Sequence, residues 1–244
     1  MDPIIPKNIF LCYKSKKNLH YYIDNWSKLN PGYSIELFDN KECAQFLLEE
    51  YGEIHHAVFN YIPDGPIKAD FWRVCILFKR GGIYSDIDNE PLVPIEDFLD
   101  NEVDFLLCSS YWKREEYLFN PNFLMAKKGD LVLKKCIDWY TESFILHVAY
   151  DYWFWSIVRI MTIHLKLNDF DSKDGVYMSG RTKVQVLREV KGITHYDDHN
   201  VYKKMRVLNN RYKDWDYKRH EFKGNKFLRP FKKIKRKMLR VIKF

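Results

Sequence analysis

Cysteine is scarce in this sequence of 244 residues, and its spacing is irregular. Five cysteines are present and none are paired as C-x-x-C, so neither a disulfide framework nor a zinc knuckle is expected. Glycine and proline, with 10 and 9 residues, are too few for a linker-dominated or collagen-like chain. The amino-terminal segment lacks the long apolar run of a signal peptide. Together these absences favour a folded protein in a reducing compartment.

Long hydrophobic runs are also rare. One apolar stretch, Phe144 to Leu165, has the length of a membrane span, but it contains Asp151 and Arg159. An ionised pair inside a single span is costly. This stretch is therefore predicted to be a buried or semi-buried helix.

Acidic residues are missing from the last twenty positions. Residues 225–244 carry nine lysines and arginines, whereas residues 1–224 hold 31 basic against 33 acidic side chains. A nucleic-acid partner for the folded body is therefore not expected. The sequence predicts a catalytic-size domain over residues 1–224 and a basic tail over 225–244.

The tail has an apolar stripe at helical spacing: Phe231, Ile234, Met238, Leu239 and Ile242. Lysines and arginines lie between these residues, which is typical of a basic amphipathic helix. The preferred interpretation is peripheral attachment to an anionic membrane surface. Two alternatives stay open: a solvated helix that packs on the body, and a tail that binds RNA.

Short apolar strands alternate with helical patterns in the first half of the chain. A strand is predicted at Ile9–Tyr13, followed by a helix at His20–Leu29, a strand at Tyr33–Phe38 and a helix at Lys41–Glu50 capped by Asp39 or Asn40. This order predicts an α/β domain that opens with parallel strands.

Two carboxylates, Asp86 and Asp88, end the short apolar run that follows Gly81-Gly82. On an extended strand, residues separated by one position point to the same side. Two carboxylates at such a short separation repel each other unless a cation neutralises them. A hard divalent ion, which prefers oxygen ligands, suits such a pair. The carboxyl end of a strand is also where α/β sheets bind ligands.

The helix predicted over Ile67–Phe78 carries Asp70 and Arg73, three positions apart on one face. One interpretation is a surface ion pair. The other is a hydroxyl-binding aspartate that the arginine holds toward the same cleft as Asp86 and Asp88.

The segments IKADFWR at 67–73 and GGIYSDID at 81–88 together closely resemble the Asp-x-Asp (DXD) signature of glycosyltransferase family 32. That family includes fungal mannosyltransferases and bacterial capsule or lipopolysaccharide sugar transferases. The glucosylating domains of large clostridial toxins look like more distant relatives. The resemblance extends over about residues 5–130 and is thinner beyond them.

The resemblance implies a GT-A fold, a Rossmann-like α/β domain with a mixed central sheet flanked by helices. It also implies a nucleotide-sugar donor and Mn²⁺ or Mg²⁺. By analogy, Asp86 and Asp88 would hold the metal, and Asp70 and Arg73 would bind the donor sugar. Aromatic residues would line the donor pocket at two places, Tyr84 within it and Tyr13 near the nucleobase.

The resemblance implies two further sites, and at each of them more than one residue of this sequence could take the family's place. A late histidine completes the metal site in the family; His220 is the best match, and His195 and His199 are rivals. The family's asparagine segment resembles Asn120-Pro121-Asn122, where Asn122 is preferred and ordinary turn residues are an equal explanation.

The function expected from this resemblance is metal-dependent, retaining transfer of a hexose from a nucleotide-sugar, with a UDP-sugar favoured. The acceptor is expected to be a glycan or lipid-linked glycan in surface polysaccharide synthesis, at the cytoplasmic face of the inner membrane. The alternatives are a toxin-like protein glucosyltransferase and a catalytically inactive module that binds sugar or membrane.

Overall fold

The structure is a computed structural model that describes residues 4–111, 118–193 and 197–212. Six α-helices lie in these ranges: α1 His20–Leu29, α2 Asn40–Tyr51, α3 Glu53–Tyr61, α4 Gly65–Arg80, α5 Leu131–Ile145 and α6 Ile157–His164. The strands are β1 Asn8–Cys12, β2 Ser34–Phe38, β3 Gly82–Asp86, β4 Glu90–Pro91, β5 Phe105–Ser109, β6 Phe119–Ala126, β7 Gly175–Ser179, β8 Thr182–Val190, β9 His199–Tyr202 and β10 Met205–Asn209.

All of these strands join one mixed sheet in the order β2-β1-β3-β6-β5-β8-β9-β10-β4, with β7 paired to β8. Strand β1 is parallel to β2 and β3, as the alternation of strands and helices predicts. Strand β6 runs antiparallel between β3 and β5. The carboxyl-terminal strands β9 and β10 bring the chain back to β4, directly after the DXD segment.

Apolar side chains fill both faces of the sheet. One cluster joins helices α2 to α6 to the sheet and includes the fully buried Phe71, Trp72 and Trp155. The second lies on the α1 side and includes Trp26 and Phe123, whose rings stack 5.8 Å apart. The sheet is thus covered by helices on both sides, which leaves the strand ends as the place for a site.

Local signals explain where two of the predicted helices begin and end. The Asp39 carboxylate accepts from the backbone N–H groups of Lys41 and Glu42, and the Glu42 carboxylate accepts from the Asp39 N–H. This is a capping box. Helix α4 has Pro66 in its first turn and ends at Gly81, which takes a φ of +66°.

Gly82 follows with a φ of +111°, and a Cβ there would lie 2.7 Å from the Asn8 carbonyl oxygen. A larger residue would push β3 away from β1. The Gly81-Gly82 pair therefore ends α4 and lets β3, which carries Asp86, pair closely with β1.

The expectation that Asp86 and Asp88 share one extended strand is wrong in detail. Strand β3 ends at Asp86, and Asp88 lies in a turn closed by the Asn89 N–H and the Asp86 carbonyl, 3.1 Å apart. The turn moves Asp88 off the alternating pattern of the strand, so the two carboxylates are not simply side by side.

The expectation of one helix over Phe144–Leu165 is also wrong. Helix α5 ends at Ile145 and α6 begins at Ile157. Between them His147 has a φ of +53°, and the Asp151 carboxylate accepts from two backbone N–H groups of the loop. Ser156 then caps α6. Among the described residues, no helix combines the length and apolarity needed to cross a membrane.

Asn120-Pro121-Asn122 is not a turn, because all three residues lie within β6. The register between β5 and β6 is irregular here, between Leu107 and Cys108. Pro121 lies at this irregularity and has no partner residue on β5, so its missing N–H removes no regular hydrogen bond between the two strands. The predicted tail, 225–244, and the domain boundary before it lie outside the described residues.

Candidate active site

The ends of two parallel strands bring the predicted residues to one edge of the sheet. Strand β1 pairs with β3 so that Cys12 lies beside Asp86, and Tyr13 follows β1 directly. Helix α4, which precedes β3, supplies Asp70 and Arg73 from the adjacent layer. The site is therefore at the carboxyl ends of parallel strands, where α/β proteins bind ligands.

Asp70 and Arg73 form a buried ion pair, which excludes the surface interpretation. Arg73 Nη2 lies 2.9 Å from Asp70 Oδ1, and the two side chains are 5% and 10% exposed. The other Asp70 oxygen accepts from the Ile157 N–H, at the start of α6, at 3.1 Å. Burial raises the pKa of Asp70 to about 6, although Arg73 and this N–H favour its ionised form.

Arg73 connects most of the site. Its Nη2 also lies 3.2 Å from Asp86 Oδ1, Nη1 donates to the Pro121 carbonyl in β6, and Nε donates to the Ala69 carbonyl at 3.3 Å. The guanidinium lies over the Tyr84 ring, 4.2 Å from its centroid. Through these hydrogen bonds and ion pairs, Arg73 mainly fixes α4, β3 and β6 relative to one another.

The two DXD carboxylates are held differently. Asp86 Oδ1 accepts from the Tyr84 hydroxyl at 2.8 Å and forms an ion pair with Arg73. Asp88 Oδ2 lies 3.5 Å from Arg211 Nε, and these two side chains are 23% and 28% exposed. Burial, and then the charge of Asp86, raise the pKa of Asp88 to about 7, against the effect of Arg211.

Two cavities meet at Asp86 and Asp88. The Tyr13 cavity, of about 390 Å³, is lined by Tyr13, Lys68, Trp72, Arg73 and Tyr84 among others. The Glu189 cavity, of about 330 Å³, is lined by Tyr111, Asn120, Asn122, Trp153, Glu189 and Asn210 among others. Asp86, Asp88 and Arg211 line both. An arrangement of two adjoining pockets can hold two substrates on either side of the carboxylates.

The donor set fits a hard divalent cation. Burial, and then the negative charge of Asp86, raise the pKa of Asp88, and a cation beside the two carboxylates would stabilise their ionised forms. Within those residues, no group of three His, Cys, Asp or Glu side chains could hold a metal ion by itself. Two carboxylates with the remaining ligands from phosphate and water are a common way to bind Mg²⁺, and Mn²⁺ accepts the same oxygen ligands.

Residues 16–104 match the family model of a glycosyltransferase sugar-binding region containing a DXD motif. Over this stretch the chain is similar to that glycosyltransferase family. The match contains Asp70, Arg73, Tyr84, Asp86 and Asp88, the cluster that the structure brings together. The resemblance to DXD glycosyltransferases of family 32 is thereby confirmed.

Curated relatives agree with this family. The chain is 33% identical over 106 residues to the initiation-specific alpha-1,6-mannosyltransferase of Candida albicans, across 39% of this chain and 27% of the relative. It is 30% identical over 104 residues to the protein of the same name from Schizosaccharomyces pombe, across 40% of this chain and 26% of the relative. The chain thus matches about a quarter of the length of either relative.

The fold is shared with a solved glycosyltransferase. The structure of PaToxG Glycosyltransferase superposes with a TM-score of 0.51 and 17% sequence identity, over 67% of this chain and 70% of that one. The predicted GT-A type fold, a mixed sheet flanked by helices, is confirmed.

The remaining predicted residues fall in three places. Asn122 lines the Glu189 cavity, and its side chain and backbone pair with the amide of Asn89, next to Asp88. His199 begins β9, and its Nδ1 lies 2.7 Å from the Asp197 carbonyl oxygen; it does not line either cavity. His220 and His195 lie outside the described residues.

Carboxyl-terminal to the glycosyltransferase match, the structure adds site residues that sequence reasoning missed. They are Glu189 in β8 and Asn210 and Arg211 after β10. Glu189 is 6% exposed, and burial raises its pKa above the usual range. The one local signal was a carboxylate near the end of a strand that also contains Val184, Val186 and Leu187.

Proposed function

We propose that this chain transfers a hexose from a nucleotide-sugar donor to a glycan acceptor in a metal-dependent reaction. The observation that carries the proposal is the position of Asp86 and Asp88 between two cavities, backed by the buried Asp70–Arg73 pair. The family match and the names of the relatives support sugar transfer as the class of reaction.

The donor is proposed to occupy the Tyr13 cavity. Tyr13 offers an aromatic face for the nucleobase, and Lys68, which lines the same cavity, offers positive charge to phosphate. The family resemblance makes Asp70 a ligand of a donor-sugar hydroxyl, but Asp70 lines neither cavity, so its proposed role is to hold Arg73 beside the donor. Arg73 lines the Tyr13 cavity and chiefly holds Asp70 and Asp86 in place.

Asp86 and Asp88 are the proposed ligands of Mn²⁺ or Mg²⁺. When bound, such an ion would stabilise the negative charge that develops on the leaving diphosphate. Arg211 lies beside Asp88 and adds a cation at the same place. The Tyr84 hydroxyl and Arg73 orient Asp86 by contacting its Oδ1, so that Oδ2 has no donor among the described residues.

The finer points of the reaction follow from the family resemblance and are part of this proposal. They are retention of configuration at the transferred sugar and a preference for a UDP-sugar. The relatives' names make mannose the first sugar to test, so the donor panel includes both UDP- and GDP-linked hexoses.

The deciding experiment measures nucleotide release from UDP-, GDP- and dTDP-hexoses with Mn²⁺ and with EDTA. The wild type is expected to release one nucleotide only with the metal. Asp88→Asn should lower this rate by at least about 100-fold, the range for loss of a group that stabilises the transition state. Asp97→Asn, which changes an exposed aspartate outside both cavities, is the matched control and should behave as the wild type.

Two results would overturn the proposal. One is no metal-dependent release from any donor together with no Mn²⁺-dependent nucleotide binding. The other is an Asp88→Asn variant as active as the Asp97→Asn control. The inactive sugar- or membrane-binding module would then be the better interpretation.

We also propose that the enzyme works in surface polysaccharide synthesis at the cytoplasmic membrane face, held there by the basic segment 225–244. This segment lies outside the described residues, so the proposal rests on its sequence alone. Each nearby lysine or arginine is worth about 1 kcal/mol on an anionic surface.

Sedimentation with vesicles tests the attachment. The chain should bind vesicles that contain phosphatidylserine and not pure phosphatidylcholine, and high salt should release it. Replacing Lys232, Lys233, Lys235 and Lys237 with glutamine should abolish binding, whereas four matched replacements of exposed lysines on the body should not. Equal binding to both kinds of vesicle would contradict the proposal.

A further inference from the structure

Glu189 is a buried carboxylate at the centre of a polar network. Its Oε1 accepts from the side-chain amides of Asn120 at 2.8 Å and Asn210 at 2.7 Å. Its Oε2 accepts from the Tyr111 N–H at 3.1 Å. One carboxylate thus orients two amides that come from β6 and from the segment after β10.

Hydrogen bonds connect this network to the DXD turn. The Asn122 N–H donates to Asn120 Oδ1 at 3.3 Å, and the Asn122 carbonyl accepts from the Asn89 amide at 2.9 Å. Asn89 lies one residue after Asp88. The orientation of the Asn120 amide is therefore linked to the carboxylates through three short steps.

The cavity beside this network has the surface that saccharides bind. Amide groups of Asn120, Asn122 and Asn210 and the ring of Trp153 line it together. Trp153 is 41% exposed at the rim, and the Asp151 carboxylate fixes its backbone by accepting from the Trp153 N–H at 3.1 Å. An aromatic face with nearby amides matches a sugar ring, which has an apolar face and a polar edge.

An independent sign of a missing polar partner lies in the same wall. Asn122 is 8% exposed, and its Oδ1 is buried with no hydrogen-bond partner among the described residues. Buried polar atoms are normally paired. A ligand hydroxyl that reaches this wall after a small rotation of the amide would supply the missing donor.

We propose that the Glu189 cavity binds the acceptor saccharide and that Glu189 is a positioning residue for it. Glu189 holds the Asn120 and Asn210 amides in the orientation that receives the acceptor hydroxyls. This inference rests on the proposed function, because it assigns the second substrate of the same reaction. It places the acceptor on the opposite side of Asp86 and Asp88 from the donor.

Three accepted hydrogen bonds also distinguish positioning from proton transfer. Both Glu189 oxygens are engaged by protein N–H groups. Glutamine can still accept both asparagine amides on its one carbonyl oxygen, while its NH2 group replaces the acceptor of the Tyr111 N–H. Leucine has a similar volume and can accept none. A positioning role therefore predicts that glutamine substitutes for Glu189 far better than leucine.

The test uses the full chain with Mn²⁺, GDP-mannose and UDP-glucose as donors, and the methyl α-glycosides of mannose, glucose and galactose as acceptors. Nucleotide release without acceptor and transfer to each glycoside are measured separately. We expect Glu189→Leu to raise the acceptor KM at least tenfold more than the donor KM. Glu189→Gln should keep the acceptor KM within about threefold of wild type, since its net hydrogen-bond loss is small.

A second variant and its control keep the proposal testable if Glu189→Leu fails to fold. Trp153→Ala removes an exposed ring at the rim and should raise the acceptor KM at least fivefold. Leu131→Ala, which truncates an apolar side chain that is 73% exposed on α5, is its control and should leave both KM values unchanged. Glu36→Gln on β2 is the control for the change from glutamate to glutamine.

Each outcome bears on one claim. No metal-dependent release from any donor of the full panel, together with no Mn²⁺-dependent nucleotide binding, refutes the proposed function itself. If release is present, two results overturn the acceptor assignment. One is that none of the three glycosides is used as an acceptor or gives a saturation-transfer NMR signal. The other is that Trp153→Ala and Glu189→Leu transfer the sugar as well as the wild type does. A Glu189→Gln variant as defective as Glu189→Leu overturns the positioning role and favours direct chemistry by the carboxylate.

Discussion

Two aspartate–arginine pairs border the same site and differ in almost every physical respect. Asp70 and Arg73 lie three residues apart on α4, 2.9 Å from each other and nearly inaccessible to water. Asp88 and Arg211 come from distant parts of the chain, lie 3.5 Å apart and are about a quarter exposed. Arg73 has three further protein partners, whereas Arg211 borders both cavities.

This difference indicates two roles: Asp70–Arg73 is a framework pair that stays closed, and Asp88–Arg211 is an open pair whose two side chains can separate. Breaking a buried pair leaves a charge with no solvation, so Asp70–Arg73 must stay closed throughout a reaction. A partly exposed pair at 3.5 Å contributes little, so Asp88 can exchange its arginine for a metal ion at small cost. Asp70 thus belongs to the rigid part of the site, whereas Asp88 can change its partner.

The largest effect should come from removing the framework cation. Arg73→Met leaves the Asp70 and Asp86 carboxylates without their guanidinium. We expect the free energy of unfolding to fall by about 3–5 kcal/mol, measured by urea denaturation at pH 8. Lys79→Met, at an exposed pair on the same helix, is the control; an equal loss in both variants would remove the distinction between framework and surface.

The pH dependence of stability should also separate the pairs. Burial raises the pKa of Asp70 to about 6 from its ordinary 3.8, so the folded chain holds this proton more tightly than the unfolded chain. The stability that Asp70 contributes is full below pH 4 and is lost as the pH rises through 6. Relative to Asp70→Asn, the wild type should lose up to about 1.4 kcal/mol per pH unit across this window.

Urea denaturation at four pH values between 4 and 7 measures this slope. The difference between wild type and Asp97→Asn, an exposed site, should stay flat over the same range. If the difference between wild type and Asp70→Asn stayed constant or grew with pH, burial would not raise the pKa of Asp70 above its value in the unfolded chain.

The smallest effect is expected at the open pair. Arg211→Met should change the free energy of unfolding by less than about 1 kcal/mol. Thermal or urea denaturation of this variant beside Arg73→Met gives the comparison directly. A loss as large as that of Arg73→Met would mean that Asp88 cannot exchange its partner without unfolding the site.

The amino-terminal half of this fold is readable from sequence because its signals are local. Asp39 and Glu42 form a capping box three residues apart, and Gly81 follows the last turn of α4. The DXD segment and the Asp70–Arg73 spacing also lie within 19 residues of one another. Short-range patterns of this kind need no knowledge of the distant chain.

The Glu189 cavity was not predictable for the opposite reason. Its walls come from β6, β8 and the segment after β10, and the pairing of these strands depends on register between distant residues. Asn120-Pro121-Asn122 resembles a turn locally, yet pairing with β5 makes it a strand. The turn that carries Asp88 was missed because β3 ends two residues earlier than its apolar pattern indicates.

The pairing of β10 with β4 has a consequence for biosynthesis. Tyr212 donates its N–H to the Asp88 carbonyl at 3.0 Å, and Asn209 lies opposite Glu90, more than a hundred residues later in translation. Contacts of such sequence separation form late in folding. A ribosome-bound chain that has not yet exposed residues 199–212 has the DXD turn without this support, so the site is completed only after these residues have left the ribosome.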